Sequence, residues 1–181
     1  IMSELLTGKR ILITQADQFM GPMLCEVLRA KGATVIADDS DLSMAGVAEK
    51  VVADSGRIDV LVANLSIPAP STPAAQVSEE EWQAVFAALV SPLPRLCAAV
   101  LPQMVERRAG KILLMGSASA LRGMKRASTY SAARGAQLAY IQAVGVEMAE
   151  HNIQINAIAQ NFVENPTYFP PEVQAMPRFQ E

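Results

Sequence analysis

Ile112–Leu113–Leu114–Met115–Gly116–Ser117 and, after a short gap, Ser128–Thr129–Tyr130–Ser131–Ala132–Ala133–Arg134 decide how this chain reads. Four apolar side chains closed by Gly and Ser have the length and composition of a buried strand. The second stretch opens a helical pattern from about Tyr130 to Glu150, and a Tyr and an Arg at i and i+4 share one helix face. A strand–loop–helix unit can therefore bring Ser117 to the face that carries Tyr130 and Arg134. The trio combines a hydroxyl donor, a phenol that can serve as base, and a fixed cation to hold the phenolate. That is equipment for acting on a substrate alcohol.

Working outward, residues 11–14, 34–37, 60–63 and 153–158 are further apolar runs that read as strands. Between them lie helical patterns. The first has Pro22 in its opening turn and runs to about Lys31, stopping at Gly32. The next covers about 43–53. After a Pro/Ser-rich loop at 68–73, Ser78-Glu79-Glu80-Glu81 is a capping box that opens a helix with Trp82. Pro92 and Pro94 should kink or restart it, and the pattern continues to about Arg108. Strands alternating with amphipathic helices predict a doubly wound, Rossmann-like α/β fold. Its parallel sheet is covered on both faces, with the site at the carboxyl ends of the strands.

At 181 residues, 51% hydrophobic and 18% charged, the chain has the size and composition of one ordinary globular domain. Its net charge of −3 and lack of a basic cluster speak against nucleic acid as a partner. Arg107–Arg108 sits where a helix should end and reads as a solvated cap. No membrane span is expected, and the start of the chain, with Glu4 and Lys9 around a short apolar patch, does not resemble a secretory signal. Cys25 and Cys97 read as buried free thiols in a reducing compartment, which points to the cytoplasm. The single histidine, His151, falls at a helix end, so no zinc or other metal site and no His-based triad is expected.

The Ser…Tyr-x-x-x-Arg spacing resembles the Ser…Tyr-x-x-x-Lys set of the short-chain dehydrogenase/reductases, with Arg134 at the lysine position. Within that superfamily the substitution is similar to the halohydrin dehalogenases, which have the fold but no nicotinamide cofactor. The likeness covers residues 8–171, and Ala157–Ile158–Ala159–Gln160–Asn161 and Tyr168–Phe169 add to it. The family adds a further helix and a last strand. The resemblance therefore implies that residues 1–181 are a single Rossmann-like domain, incomplete at its C-terminal end.

Four departures from the dehydrogenase pattern argue against a nicotinamide. The Thr-Gly-x-x-x-Gly-x-Gly turn is Thr14-Gln15-Ala16-Asp17-Gln18-Phe19-Met20-Gly21, so side chains stand where backbone must approach a pyrophosphate. Asn-Asn-Ala-Gly is Ala63-Asn64-Leu65-Ser66. Leu89 stands where dehydrogenases usually place an Asn, and Gln160-Asn161 replaces Pro-Gly. Asp38 dissents, because an acid at the end of the second strand is what an NAD enzyme uses on the adenosine ribose. Without the glycine turn, a solvated strand-end carboxylate is the reading we prefer.

The resemblance implies conversion of a vicinal halo-alcohol to an epoxide plus halide, reversible with other small anions, and no cofactor. Tyr130 would take the alcohol proton. A free phenol has pKa about 10, so only about one in a thousand is ionised at pH 7 without help such as Arg134 provides. Ser117 would hold the substrate oxygen. By position, Phe19 and the backbone around Gln160, Asn161 and Phe162 would cradle the halide, with Tyr168 and Phe169 as a lid. Ile67, Ser119 and Met124 would line the substrate pocket. The competing expectations are an NAD(P)-dependent reductase and a non-catalytic binder or scaffold. The family's helix pairing, which would use residues 78–108 and 129–150, implies a homotetramer with no membrane or nucleic-acid partner.

Overall fold

A computed structural model describes residues 5–165 and 167–176. Five strands, β1 (Arg10–Thr14), β2 (Thr34–Asp38), β3 (Val60–Ala63), β4 (Gly110–Ser117) and β5 (Ile153–Gln160), form one sheet. It runs in the order β2-β1-β3-β4-β5, every pair parallel. The helices are α1 (Gly21–Ala30), α2 (Val47–Ser55), α3 (Glu79–Leu89), α4 (Pro92–Glu106), α5 (Ser128–Met148) and α6 (Pro171–Gln174). This is the Rossmann-like parallel sheet that the alternation of patterns predicts.

Successive strand residues feed opposite faces, which explains why the strands read as unbroken apolar runs. Leu12, Leu61, Ile112 and Leu114 join the larger core with α2, α4 and α5. Ile11, Ile13, Val62 and Met115 join a second core with Cys25 of α1. The chain leaves β1 toward one face and β3 toward the other, so their carboxyl ends bound the crevice where such folds place ligands. Both cysteines are buried and free.

Ser78 caps α3, its hydroxyl accepting the Glu81 N–H at 3.1 Å. The Glu81 carboxylate serves another purpose: it accepts from the hydroxyls of Thr72 and Thr129, tying α3 to the start of α5. Two expectations need correction. The helix expected from residue 43 begins at Val47. Asp41 accepts both the N–H and the hydroxyl of Ser43 in a local turn, and Gly46 enters the helix at φ +82°. Nor is the chain free of long apolar stretches. An 18-residue window within residues 79–106 has a mean hydropathy of 1.9, and the helical run is long and apolar enough, by length and composition, to cross a membrane. Pro92 and Pro94 only restart this run, because proline is tolerated in a first turn. Here Val85, Leu89, Leu93, Leu96, Val100 and Met104 turn its apolar stripe into the core.

Candidate active site

Ser117 ends β4 opposite Gln160 of β5, and Tyr130 sits in the first turn of α5. Both line a cleft of about 550 Å³ at the carboxyl ends of the strands. Of the expected halide cradle and lid, Phe19, Gln160, Asn161, Phe162, Tyr168 and Phe169 all line the same cleft. Ser119 and Met124 from the expected substrate pocket do so as well. Ile67 does not: it packs against the main core, and its backbone is taken up by Tyr168.

Ser119 does more than line the wall. Its N–H and its hydroxyl donate to the Ser117 Oγ at 3.2 and 3.0 Å. Ser117 thus has its acceptor capacity used and its own hydrogen free to donate.

Arg134 is 1% exposed and lies beneath the cleft. Its guanidinium carbon lies 5.0 Å from the centre of the Tyr130 ring and 5.4 Å from that of Phe19. Nη1 donates to the Met115 carbonyl at 3.2 Å and to Gln137 Oε1 at 3.0 Å, and Nη2 to the Tyr168 phenol at 3.4 Å. The buried Nε has no partner among the described residues. Gln137 is fully buried, and its amide donates to the Leu89 carbonyl. The break between α3 and α4 leaves that carbonyl without a helical partner, since the Leu93 N–H bonds to Val90 instead. The helix break therefore frees a carbonyl, the carbonyl holds Gln137, and Gln137 holds the arginine. The only trace of Gln137 in the sequence is a polar residue three positions after Arg134, on the same helix face.

Tyr168 closes one side. Its phenol donates to the Ile67 carbonyl at 2.7 Å and accepts from the Ile67 N–H at 3.2 Å. Its ring meets Phe19 edge-on at 5.1 Å and Tyr130 at 5.9 Å. Burial pushes the Tyr168 phenol well above its ordinary value, and the Arg134 charge offsets only part of that rise. Asn165 fixes the segment, its Oδ1 accepting from the Thr167 and Tyr168 N–H groups.

The short chain dehydrogenase family matches residues 39–170. A 5-keto-D-gluconate 5-reductase of Escherichia coli (strain K12) is 32% identical over 185 residues, 87% of this chain and 72% of the relative. The chain belongs to the short chain dehydrogenase family. A second member, a 3-oxoacyl-(acyl-carrier-protein) reductase of the same strain, is 27% identical over 87% of this chain and 74% of its own. Among solved structures, one described as a dehalogenation enzyme superposes with a TM-score of 0.87 at 30% identity. It covers 94% of this chain and 79% of its own. A halohydrin dehalogenase bound to ethyl (2S)-oxiran-2-ylacetate gives 0.84 at 27% identity, with the same coverage.

For a short chain dehydrogenase, the first turn would receive a dinucleotide pyrophosphate on free backbone N–H groups. Here four of those donors are engaged. The Ala16 N–H donates to the Asp38 carbonyl, Asp17 to the Asp39 carboxylate, Gln18 to Gln15, and Phe19 to the Thr167 hydroxyl at 2.7 Å. Asp17 and Asp39 also put two carboxylates at the turn, and desolvation together with the Asp39 charge raises the Asp17 pKa. The Phe19 ring, 3% exposed, is packed against Tyr168. The one family glycine retained, Gly21, has a steric reason: a Cβ there would come within 2.5 Å of the Gln15 and Ala16 carbonyls. These residues do not fit a dinucleotide.

Proposed function

We propose that this protein is a cofactor-independent halohydrin dehalogenase. The observation that carries the reading is the joining of Ser117, Tyr130 and an underlying Arg134 to a first turn in which four backbone donors are already used. Tyr130, as phenolate, takes the proton of the substrate hydroxyl. Ser117, fixed by Ser119, donates to the oxygen as it becomes an alkoxide. That oxygen forms a bond to the neighbouring carbon while the carbon–halogen bond breaks, the electron pair leaving with the halide. The cation against the Tyr130 ring face attracts the charge the phenolate carries. Phe19, Phe162 and Phe169 offer a weakly polar wall to the departing halide, and small anions opening an epoxide would retrace the path. A homotetramer paired through α3–α4 and α5 belongs to the same proposal.

One rival has specific support. The two sequence relatives above are named reductases, and the Asp38 Oδ2, at the end of β2, is buried without a partner among the described residues. Both facts favour nucleotide-dependent reduction. The deciding experiment measures halide release from 1,3-dichloro-2-propanol without added nucleotide, beside a Tyr130→Phe variant. Release abolished in the variant supports the dehalogenase, whereas no release with tight NADH or NADPH binding restores the reductase. Neither activity would leave a non-catalytic binder.

A further inference from the structure

We infer that the substrate carries a carboxylate, recognised by a basic rim on the loop before α5. The inference rests on the dehalogenase reading for its chemistry and on separate observations for its charge. Between Glu106 and Glu147 the chain has seven Lys and Arg residues and no acid, although its net charge is −3. Three of the seven, Arg122, Lys125 and Arg126, fall within five residues of the loop and are exposed, so the chain does carry a local basic cluster, against the expectation from its overall charge. Lys125 and Arg126 line the cleft that holds Ser117 and Tyr130, and no carboxylate side chain lines it among the described residues.

These cations are not neutralised nearby. The ion pairs among the described residues are Lys50–Asp54, Arg57–Asp59 and His151–Glu150, all elsewhere. Arg126 is held in place: Nε and Nη2 donate to the Ser71 hydroxyl and carbonyl at 3.2 and 2.9 Å, and its own carbonyl accepts from Thr72 at 2.9 Å. It reaches this position at φ +62°, a conformation that disfavours side chains. Ser71 lines the cleft beside it, so Arg126 is fixed at the wall with one guanidinium nitrogen uncommitted.

A neutral halo-alcohol would gain nothing from two unpaired cations at the mouth of a largely apolar cleft. A carboxylate would, because charge of one sign in a low-dielectric cleft focuses the field on an anion. The class is a small halohydroxy carboxylic acid, oriented with its acid at the rim and its hydroxyl toward Ser117 and Tyr130. The carboxylate takes no part in the bond changes; it positions the substrate.

The test uses 3-hydroxybutanoate and its ethyl ester, which lack a halogen, titrated calorimetrically into the wild type, Lys125→Ala and Lys125→Glu at low and at physiological ionic strength. The acid should bind about tenfold tighter than the ester at low salt, with the gap narrowing as salt rises. The preference should shrink in Lys125→Ala and reverse in Lys125→Glu. Equal binding of acid and ester, or no binding of the acid, overturns the inference. Halide release from 4-chloro-3-hydroxybutanoate and its ester is measured in parallel. Release from the ester without preference for the acid sinks only the carboxylate, whereas acid-selective binding with release from neither sinks only the dehalogenase.

Discussion

Arg134 meets Tyr130 through the ring face, its guanidinium carbon 5.0 Å from the ring centre, and the two side chains share no hydrogen bond. Its donors go instead to Met115, Gln137 and Tyr168. The helical spacing predicts that the two residues are neighbours, and they are. The cation acts on the phenol through space, its place fixed by the buried Met115 and Gln137 and the half-buried Tyr168.

Substituting Arg134→Lys keeps the charge and removes the fork that makes these contacts. Halide release should fall by about 100-fold, the scale of a misplaced acid–base group. Leaving buried acceptors unpaired should also cost about 2–3 kcal/mol in denaturant unfolding. Wild-type-like release would show that charge alone suffices and that the held geometry is irrelevant.

Gln137→Leu separates positioning from folding. The Leu89 carbonyl and the Arg134 Nη1 each lose a partner, so stability should drop by about 1–3 kcal/mol. If Gln137 acts only through Arg134, the pH dependence of halide release shifts toward higher pH while substrate KM hardly moves. An unshifted pH profile would reduce Gln137 to a structural residue.

How much of this was legible in the sequence follows from the range of each interaction. The strands and the Ser78 cap could be read because an unbroken apolar run and a capping hydroxyl are local properties. The trio could be read because Tyr130 and Arg134 are one helical turn apart and Ser117 ends the preceding strand. What escaped is long-range. Tyr168 finds the Ile67 backbone across 101 residues, and Gln137 reaches Leu89 across 48. Neither contact has a spacing signature, since a loop and a helix break create the acceptors. The late start of α2 was hidden because Ser43 satisfies Asp41 in a turn and not a helix N-terminus.

Tyr168→Phe removes one phenol that serves the Ile67 N–H, the Ile67 carbonyl and Arg134 together. The ring and its contacts with Phe19 and Tyr130 remain. Stability should fall by about 1–3 kcal/mol, and the loss should be accompanied by faster amide exchange at Ile67. Unchanged exchange there would mean that the phenol does not hold the loop.

Nucleotide binding follows from the first turn. With the Asp17 and Phe19 N–H groups committed, NADH and NADPH should bind more weakly than about 1 mM by fluorescence titration. Replacing Asp17 or Phe19 with glycine alone should not restore binding, because Asp39 and Thr167 would still occupy the backbone donors. Micromolar affinity in the wild type would overturn the cofactor-free reading directly.

The alkaline limit of stability should be set by neutral acids held away from water, the buried Cys97 thiol and the half-buried Tyr140 and Tyr168 phenols. Burial pushes the Cys97 thiol up to about 11 and the Tyr140 phenol up to about 12, and Tyr168 is raised by the same cause. Each group holds its proton more tightly folded than unfolded. Its contribution is therefore complete below the ordinary value, 9.0 for the thiol and 10.0 for the phenols, and is lost as pH rises toward the folded value. Denaturant unfolding should show stability falling from about pH 9 upward. Cys97→Ala leaves a small cavity whose cost does not vary with pH. It should also remove up to about 1.4 kcal/mol per pH unit from the slope across the interval between the thiol's two values. Parallel curves for the variant and the wild type would show that the thiol titrates alike in both states and that the decline has another source.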